Sequence, residues 1–215
     1  MSLSSSRNFF IRSQLYCKIH TRARVFNTNR AMDFQPSAGQ QSKEFKEHES
    51  LNIDEISERI IPHLINLYGS RATAKDFEIY ASEARFEDPL TCAHGVKQIK
   101  SAFYALPKLF SKSEIVEYTL KANSTAPGNV EVLIDNKQHY KIFGKDVDLA
   151  SLIKLKMDQG KIVRHEDWWD KKPLKNRETV QLPLVGRLAE ISRRGMMLLT
   201  HVLMGFGKDP KNHTE

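Results

Sequence analysis

Lys161-Ile162-Val163-Arg164-His165-Glu166-Asp167-Trp168-Trp169-Asp170 follows the turn residues Asp158-Gln159-Gly160 and reads as a strand. It holds both tryptophans of the chain and places a histidine between charged residues. Side chains alternate along a strand. Val163, His165, Asp167 and Trp169 therefore share one face, and Ile162, Arg164, Glu166, Trp168 and Asp170 share the other. Some eighty residues earlier stands a second marked segment, Phe86-Glu87-Asp88-Pro89-Leu90. Proline disfavours helical geometry in the residue before it, so an extended stretch from Ala84 should end at Asp88.

Between and before these segments the pattern changes once. Ile53, Ile56, Ile60, Leu64 and Leu67 recur at helical spacing behind the capping candidates Asn52 and Asp54. Pro62 falls inside that pattern and should kink the helix or restart it. A second short helix is expected over Thr73 to Tyr80, and a third after Gly95 through Val96, Ile99, Phe103 and Leu106, with Pro107 near its end. From Ser113 the chain turns to β texture. Glu114 to Lys121 is rich in β-branched and aromatic residues, and Ala126-Pro127-Gly128-Asn129 marks a turn. Val130, Val132 and Ile134 then alternate with Glu131, Leu133 and Asp135. Gly144-Lys145-Asp146 and the turn at Gly160 complete a meander of four strands. Helices first and antiparallel strands afterwards make the class α+β rather than a parallel doubly wound sheet.

The two ends differ from this middle. The chain has a net charge of +7, but the excess sits in front. Residues 1–33 carry Arg7, Arg12, Lys18, Arg22, Arg24 and Arg30 with no acid before Asp33. The rest is nearly balanced, which argues against nucleic acid as a partner. An Arg- and Ser-rich, acid-poor start describes an organelle transit peptide, disordered before import. Arginine density points to the mitochondrion, with the chloroplast as the alternative. Residues 34–50 read as a linker, 51–172 as the folded domain, 173–182 as a second linker, 183–206 as an amphipathic helix and 207–215 as a tail. In that helix Leu184, Leu188, Ile191, Leu198, Val202 and Phe206 fall on one face, while Arg187, Glu190 and Arg194 lie elsewhere. Its most apolar part, Met196 to Phe206, is about half of the ~20 residues a membrane span requires. Pro183–Phe206 is expected either to pack on the sheet or a protein partner, or to lie in a membrane interface. Of the two cysteines, Cys17 and Cys92, only Cys92 would survive removal of the leader, leaving neither a disulfide nor a Cys-based zinc site.

The element order, the segment Tyr80-Ala81-Ser82-Glu83-Ala84-Arg85-Phe86-Glu87-Asp88-Pro89 and the closing His165-Glu166-Asp167-Trp168-Trp169-Asp170 together resemble the NTF2-like (SnoaL-like) superfamily. More narrowly, the chain is similar to uncharacterised plant and fungal proteins with a SnoaL-like domain. The resemblance covers roughly residues 52–172. It implies a cone: a strongly curved antiparallel sheet of four to six strands packed on three helices, with an apolar cavity at the wide end. It also implies that the His165/Asp167 face looks into that cavity and that the domain forms a homodimer through its sheet. The superfamily includes ketosteroid isomerase, limonene epoxide hydrolase, polyketide cyclases, a nuclear transport factor and membrane-docking parts of mitochondrial machinery, so the fold leaves the activity open.

Asp88, His165 and Asp167 are the candidates for catalysis. A carboxylate in an apolar pocket has its pKa raised by desolvation and becomes able to exchange protons near neutral pH. The structural alternative is equally concrete: an Asp before Pro caps turn amides, and His165 with Asp167 can simply hydrogen-bond at the cone mouth. Phe86, Phe103, Val163 and Trp169 are the expected pocket wall. The tyrosine donor of the isomerase has no matching motif here, although Tyr104, Tyr118 and Tyr140 are available. His165 and Asp167 lack a third metal ligand in the pattern, and no phosphate-binding glycine loop occurs, so neither metal nor cofactor is expected. The sequence thus supports a domain that holds a small apolar ligand or a protein partner, with an isomerase, cyclase or hydratase, or a membrane-associated scaffold, as alternatives.

Overall fold

The computed structural model describes residues 53–176, 179 and 183–210. The expected leader and first linker lie outside the described residues. Two short helices open the domain, α1 (Ile53–Arg59) and α2 (Ile61–Tyr68). Pro62 restarts the helix rather than bending it. It occupies the first turn of α2, where its missing N–H leaves no intrahelical bond unmade. Ile56, Leu64 and Leu67 from this pair are buried.

The helix expected over Thr73 to Tyr80 is one turn of 3-10 helix, Ala74–Phe77. Asp76 explains its tightness. Its carboxylate accepts bonds from the backbone and hydroxyl of Thr73 at 2.7 and 2.8 Å, and from Asn66 at 3.0 Å. Tyr80 already belongs to β1 (Tyr80–Glu87), where it pairs with Ile162. A short strand β2 (Cys92–His94), unforeseen in the sequence, returns antiparallel to β1. Helix α3 (Val96–Leu109) follows from Gly95, whose φ of 76° is easily reached only without a Cβ. The long meander is β3 (Lys112–Ala126), β4 (Asn129–Ile142), β5 (Lys145–Asp158) and β6 (Lys161–Trp169).

The six strands form one open sheet in the order β2-β1-β6-β5-β4-β3. All neighbours are antiparallel except β1 and β6, which run parallel. The sheet is therefore mixed rather than wholly antiparallel. The concave face is organised in rows set by register. One row joins Val132, Leu155 and His165; the next joins Ile134, Ile153 and Asp167; the next joins Asn136, Ser151 and Trp169. Each row is buried or half-buried, and the composition changes along the strands from a row whose one polar member is His165 to the row of Asn136, Ser151 and Trp169. The apolar rows, with α1, α2 and α3, make the core. The polar rows lie at the wide end.

Helix α4 (Pro183–Leu203) packs on α3 and β2. It is tied down beyond its end by a glycine-rich turn, Gly205–Gly207. Gly207 has a φ of 70°, and a Cβ there would overlap the carbonyl oxygen of Lys97 on α3. Gly207→Ala is therefore expected to loosen the α3–α4 contact at a cost above about 1 kcal/mol. Faster limited proteolysis within residues 183–210, together with a lower melting temperature, would show it; unchanged proteolysis would contradict it.

Candidate functional site

The wide end of the sheet encloses a cavity of about 340 Å³. Aromatic rings from every layer share its wall with aliphatic side chains: Tyr68 from α2, Phe86 from β1, Phe103 from α3, Tyr140 from β4 and Trp169 from β6. Two carboxylates, Asp88 and Asp167, share this lining, and no Lys, Arg or His does.

Asp88 sits just beyond the end of β1. Its Oδ1 accepts the backbone N–H groups of Leu90 at 2.7 Å and Thr91 at 2.5 Å, which is the turn-capping role its sequence context suggests. The same side chain borders the cavity. Desolvation pushes its pKa up to about 6, opposed by the two backbone N–H groups and assisted by the charge of Asp167. Asp167 is buried at the centre of the polar rows. Ser151 Oγ donates to its Oδ1 from the neighbouring strand. Trp169 Nε1 reaches Oδ2 at 3.3 Å and Gln138 Nε2 does so at 3.4 Å. Tyr140 supports Gln138 by donating to its Oε1 at 2.6 Å. Burial still raises the Asp167 pKa despite these donors.

His165 does not line the cavity. It is fully buried between two phenols, with Tyr68 Oη 3.1 Å from Nε2 and Tyr80 Oη 2.8 Å from Nδ1. Phe86 meets its ring edge-on at 5.0 Å, and Tyr80 lies nearly parallel to it. Desolvation lowers its pKa to about 3, so the ring is neutral at physiological pH, with one nitrogen donating and the other accepting. His165 and Asp167 share a face, but Tyr68 stands between them. Its hydroxyl bonds the imidazole and also favours the ionised form of Asp167. A buried hydrogen-bonded chain thus runs from Tyr80 through His165 to Tyr68, with Asp167 close to the Tyr68 end.

Val163 stands apart from the pocket wall the sequence suggests. It is 36% exposed, while Ile162 beside it is fully buried. The register explains the exchange. Lys156 pairs with Arg164, but Met157 pairs with Ile162, so Val163 is the extra residue of a β-bulge. The bulge breaks simple alternation and moves Ile162 onto the core face. Arg164, Glu166 and Trp168 remain on the other face. There Glu166 accepts from Arg164 Nε at 2.5 Å and from Trp168 Nε1 at 2.8 Å. Among the described residues, no group of three His, Cys, Asp or Glu side chains is placed to hold a metal ion.

No family model and no curated protein matches the chain. Solved structures do. A hexachlorocyclohexane dehydrochlorinase aligns at 11% identity over 56% of this chain and 88% of its own, with a TM-score of 0.50. An NTF2-like protein from Anabaena variabilis aligns at 10% identity over 62% of this chain and 97% of its own, with a TM-score of 0.48. A protein with a ketosteroid isomerase-like fold from Catenulispora acidiphila aligns at 14% identity over 51% of this chain and 83% of its own, with a TM-score of 0.41. The fold is NTF2-like.

Within this NTF2-like cone, several groups at the site escape a motif reading: Tyr68, Tyr80, Gln138, Tyr140 and Ser151. Their signal was present as interruptions. Val130, Val132 and Ile134 are followed at the same parity by Asn136 and Gln138, and Ile153 is preceded by Ser151. Polar residues that continue a buried alternation mark the place where a core gives way to a site.

Two outcomes follow from this chemistry. Tyr68→Phe removes the hydroxyl shared by His165 and Asp167 and leaves a buried ring nitrogen unpaired, so it should cost about 1–3 kcal/mol in urea unfolding; a change within error would contradict the chain. The second concerns pH. The folded pKa of Asp88, about 6, lies above its ordinary value of 3.8, so the folded state keeps a proton that the unfolded state releases. Stability from this group is therefore present at low pH and lost as pH rises from about 4 to about 6. Asp88→Asn keeps an Oδ1 acceptor for Leu90 and Thr91 and removes that loss. Its stability relative to wild type should rise between about pH 4 and about pH 7 in parallel melts. A pH-independent difference would rule out Asp88 as the raised carboxylate.

Proposed function

We propose that this NTF2-like domain binds a small, mainly apolar molecule in the cavity at the wide end of the cone, oriented by hydrogen bonds to Asp88 and Asp167. The observation that carries this reading is the composition of the wall: aromatic and aliphatic side chains, two carboxylates and no cation. Apolar enclosure with a few convergent polar groups is what ligand pockets of about 300–1,000 Å³ use to combine affinity with orientation. The absence of a lining cation disfavours an anionic ligand. A neutral carboxylic acid donates to a carbonyl or hydroxyl oxygen of the ligand, and an ionised one accepts from a hydroxyl.

One feature favours a second reading, proton transfer of the isomerase, cyclase or hydratase type. A carboxylate with a pKa near 6 has enough ionised form at neutral pH to accept a proton and enough basicity to hold it. In this reading Asp88 exchanges the proton with the ligand. Asp167, held by Ser151, Gln138 and Trp169, binds the developing polar group. His165 stays behind Tyr68 as a neutral positioning residue. We further propose that residues 1–33 direct the chain to the mitochondrion; a native protein that retains Met1 would remove that claim.

Native mass spectrometry of protein isolated from its source is the experiment for the ligand. A bound small molecule should co-purify with wild type and be lost from Ala105→Trp, which fills the cavity from α3. Asp88→Asn and Asp167→Asn should retain the ligand weakly and, if turnover occurs, abolish it with a pH profile that loses its inflection near 6. Equal ligand occupancy in wild type and Ala105→Trp would place binding elsewhere.

A further inference from the structure

Helix α4 is mounted with its polar side inward. Arg193 is 5% exposed, and its Nη1 donates to Glu87 at 3.1 Å and to the Asp88 carbonyl at 3.3 Å. Arg194 Nη1 donates to the Cys92 carbonyl at 2.8 Å and also to Gln98 Oε1. His201 Nδ1 lies 2.7 Å from Ser101 Oγ. Just past the helix, Asp209 accepts from Lys100 at 2.6 Å and from Tyr104 at 2.7 Å. Met197 is the one large apolar side chain of α4 that is fully buried.

The outward side is the reverse. Leu184, Leu188, Ile191, Leu198, Leu199 and Val202 are between 46% and 73% exposed. At the helical step of 100° they occupy an arc of about 100° with no charged residue in it. The stripe that the sequence offered to the sheet, to a protein partner or to a membrane interface is therefore the exposed face of the docked helix. An amphipathic helix fixed this way leaves its apolar side for something outside the described domain.

The flank of the stripe indicates what that is. Between α4 and the β1–β2 edge runs a groove of about 690 Å³, walled on the helix side by Glu190, Ile191, Arg194 and Leu198 and on the sheet side by Arg85, Glu87 and Arg164, so that three guanidinium groups face two carboxylates. Glu87 in this groove is already engaged by Arg193 and by Arg164, at 3.1 and 3.3 Å. Lys97 and Arg187 add exposed cations on α3 and on the helix. The field of these cations is felt locally. His94, which lines the groove, and His201, on the inward side of α4, are depressed first by desolvation, then by Arg194 with Arg85 or Lys97. A continuous apolar stripe beside a basic groove matches the boundary between acyl chains and anionic headgroups. A protein groove would be expected to answer the stripe with apolar surface, not to require a row of cations along one border.

We propose that the exposed face of α4 is a peripheral membrane-docking surface, lying in the interface of a bilayer that carries anionic phospholipid, with headgroups in the Arg85–Arg194 groove. The helix rests on the membrane rather than crossing it; no helix among the described residues is long and apolar enough to span one. Thr200, on the inward side of α4, is part of the cavity lining, so the helix that bears the stripe also closes part of the cavity wall.

Flotation of the full chain with two kinds of vesicle tests the proposal: phosphatidylcholine alone, and phosphatidylcholine with phosphatidylglycerol. Strong binding is expected only with the anionic vesicles, weakening as salt is raised. The double variant Leu188→Glu/Ile191→Glu should lose at least about tenfold in vesicle affinity, since two apolar side chains of the stripe are replaced by carboxylates that an anionic surface repels. Its melting temperature should not fall, because both positions are exposed. Arg85→Glu should reduce the preference for anionic vesicles while leaving the melt unchanged. The proposal is overturned if wild type fails to bind anionic vesicles or if the double variant binds them equally well. It is also overturned if wild type is a vesicle-inactive dimer that the double variant converts to monomer, which would assign the stripe to a second copy.

Discussion

The register shift at Val163 is the constraint on which both the core and the site depend. A regular β6 would turn either Ile162 or the pair His165 and Asp167 towards the concave face, never all three. One inserted residue resolves the conflict: Met157 pairs with Ile162, Lys156 pairs with Arg164, and Val163 is left over on the outside. The parallel partner adapts at the same level. Tyr80 pairs with Ile162 and Arg85 with Arg164, so β1 spends five residues where β6 spends two steps. This irregularity brings Tyr80 onto His165 and still delivers Phe86 to the same imidazole two positions later in the pairing. Bulges bend strands as well as shifting them, and curvature is what allows a single open sheet to enclose a volume.

Burial of so many polar groups would be costly if they were left unmet, and at the wide end His165, Asp167 and Gln138 all find partners, although Asn136 Oδ1 and Thr91 Oγ1 do not. His165 is satisfied from α2 and β1, Asp167 from β4, β5 and β6, and Gln138 from its own strand through Tyr140. Such a network fixes side-chain positions more firmly than apolar packing does, because each bond has a direction. It also explains why two carboxylates can face one apolar cavity. Asp88 is anchored by backbone amides at the rim, and Asp167 by side chains in depth, so neither is a bare charge. Their raised pKa values are the residual cost of desolvation after those bonds are made.

Most of the architecture was legible because it rests on period. The helical stripe from Ile53 to Leu67, the alternation of Val130, Val132 and Ile134, and the turns at Gly128, Gly144 and Gly160 each reappear as α1–α2, β4 and the meander. What was not legible is what breaks period. A bulge leaves no mark in composition, so Val163 read as a wall residue and Ile162 as an outer one. The 3-10 turn at Ala74–Phe77 read as a longer helix because the capping by Asp76 is a matter of where one carboxylate points. The site was half visible: Asp88, Asp167, Phe86, Phe103 and Trp169 are on the cavity wall, whereas the tyrosines that connect them are brought together only by the fold.

Helix α4 shows the limit of amphipathicity as a guide to burial. A hydrophobic stripe identifies the side of a helix that leaves water, but not which neighbour takes it there. Here the docking of the helix is settled by directional bonds from its other side. Arg193 reaches Glu87, and that single guanidinium links α4 to the last residue of β1, immediately before Asp88. The residue that carries the cavity acid is therefore mechanically coupled to the helix whose apolar face is exposed. Arg193 thus joins the helix that bears the exposed stripe to the strand end that carries the cavity acid, through the Glu87 carboxylate and the Asp88 carbonyl.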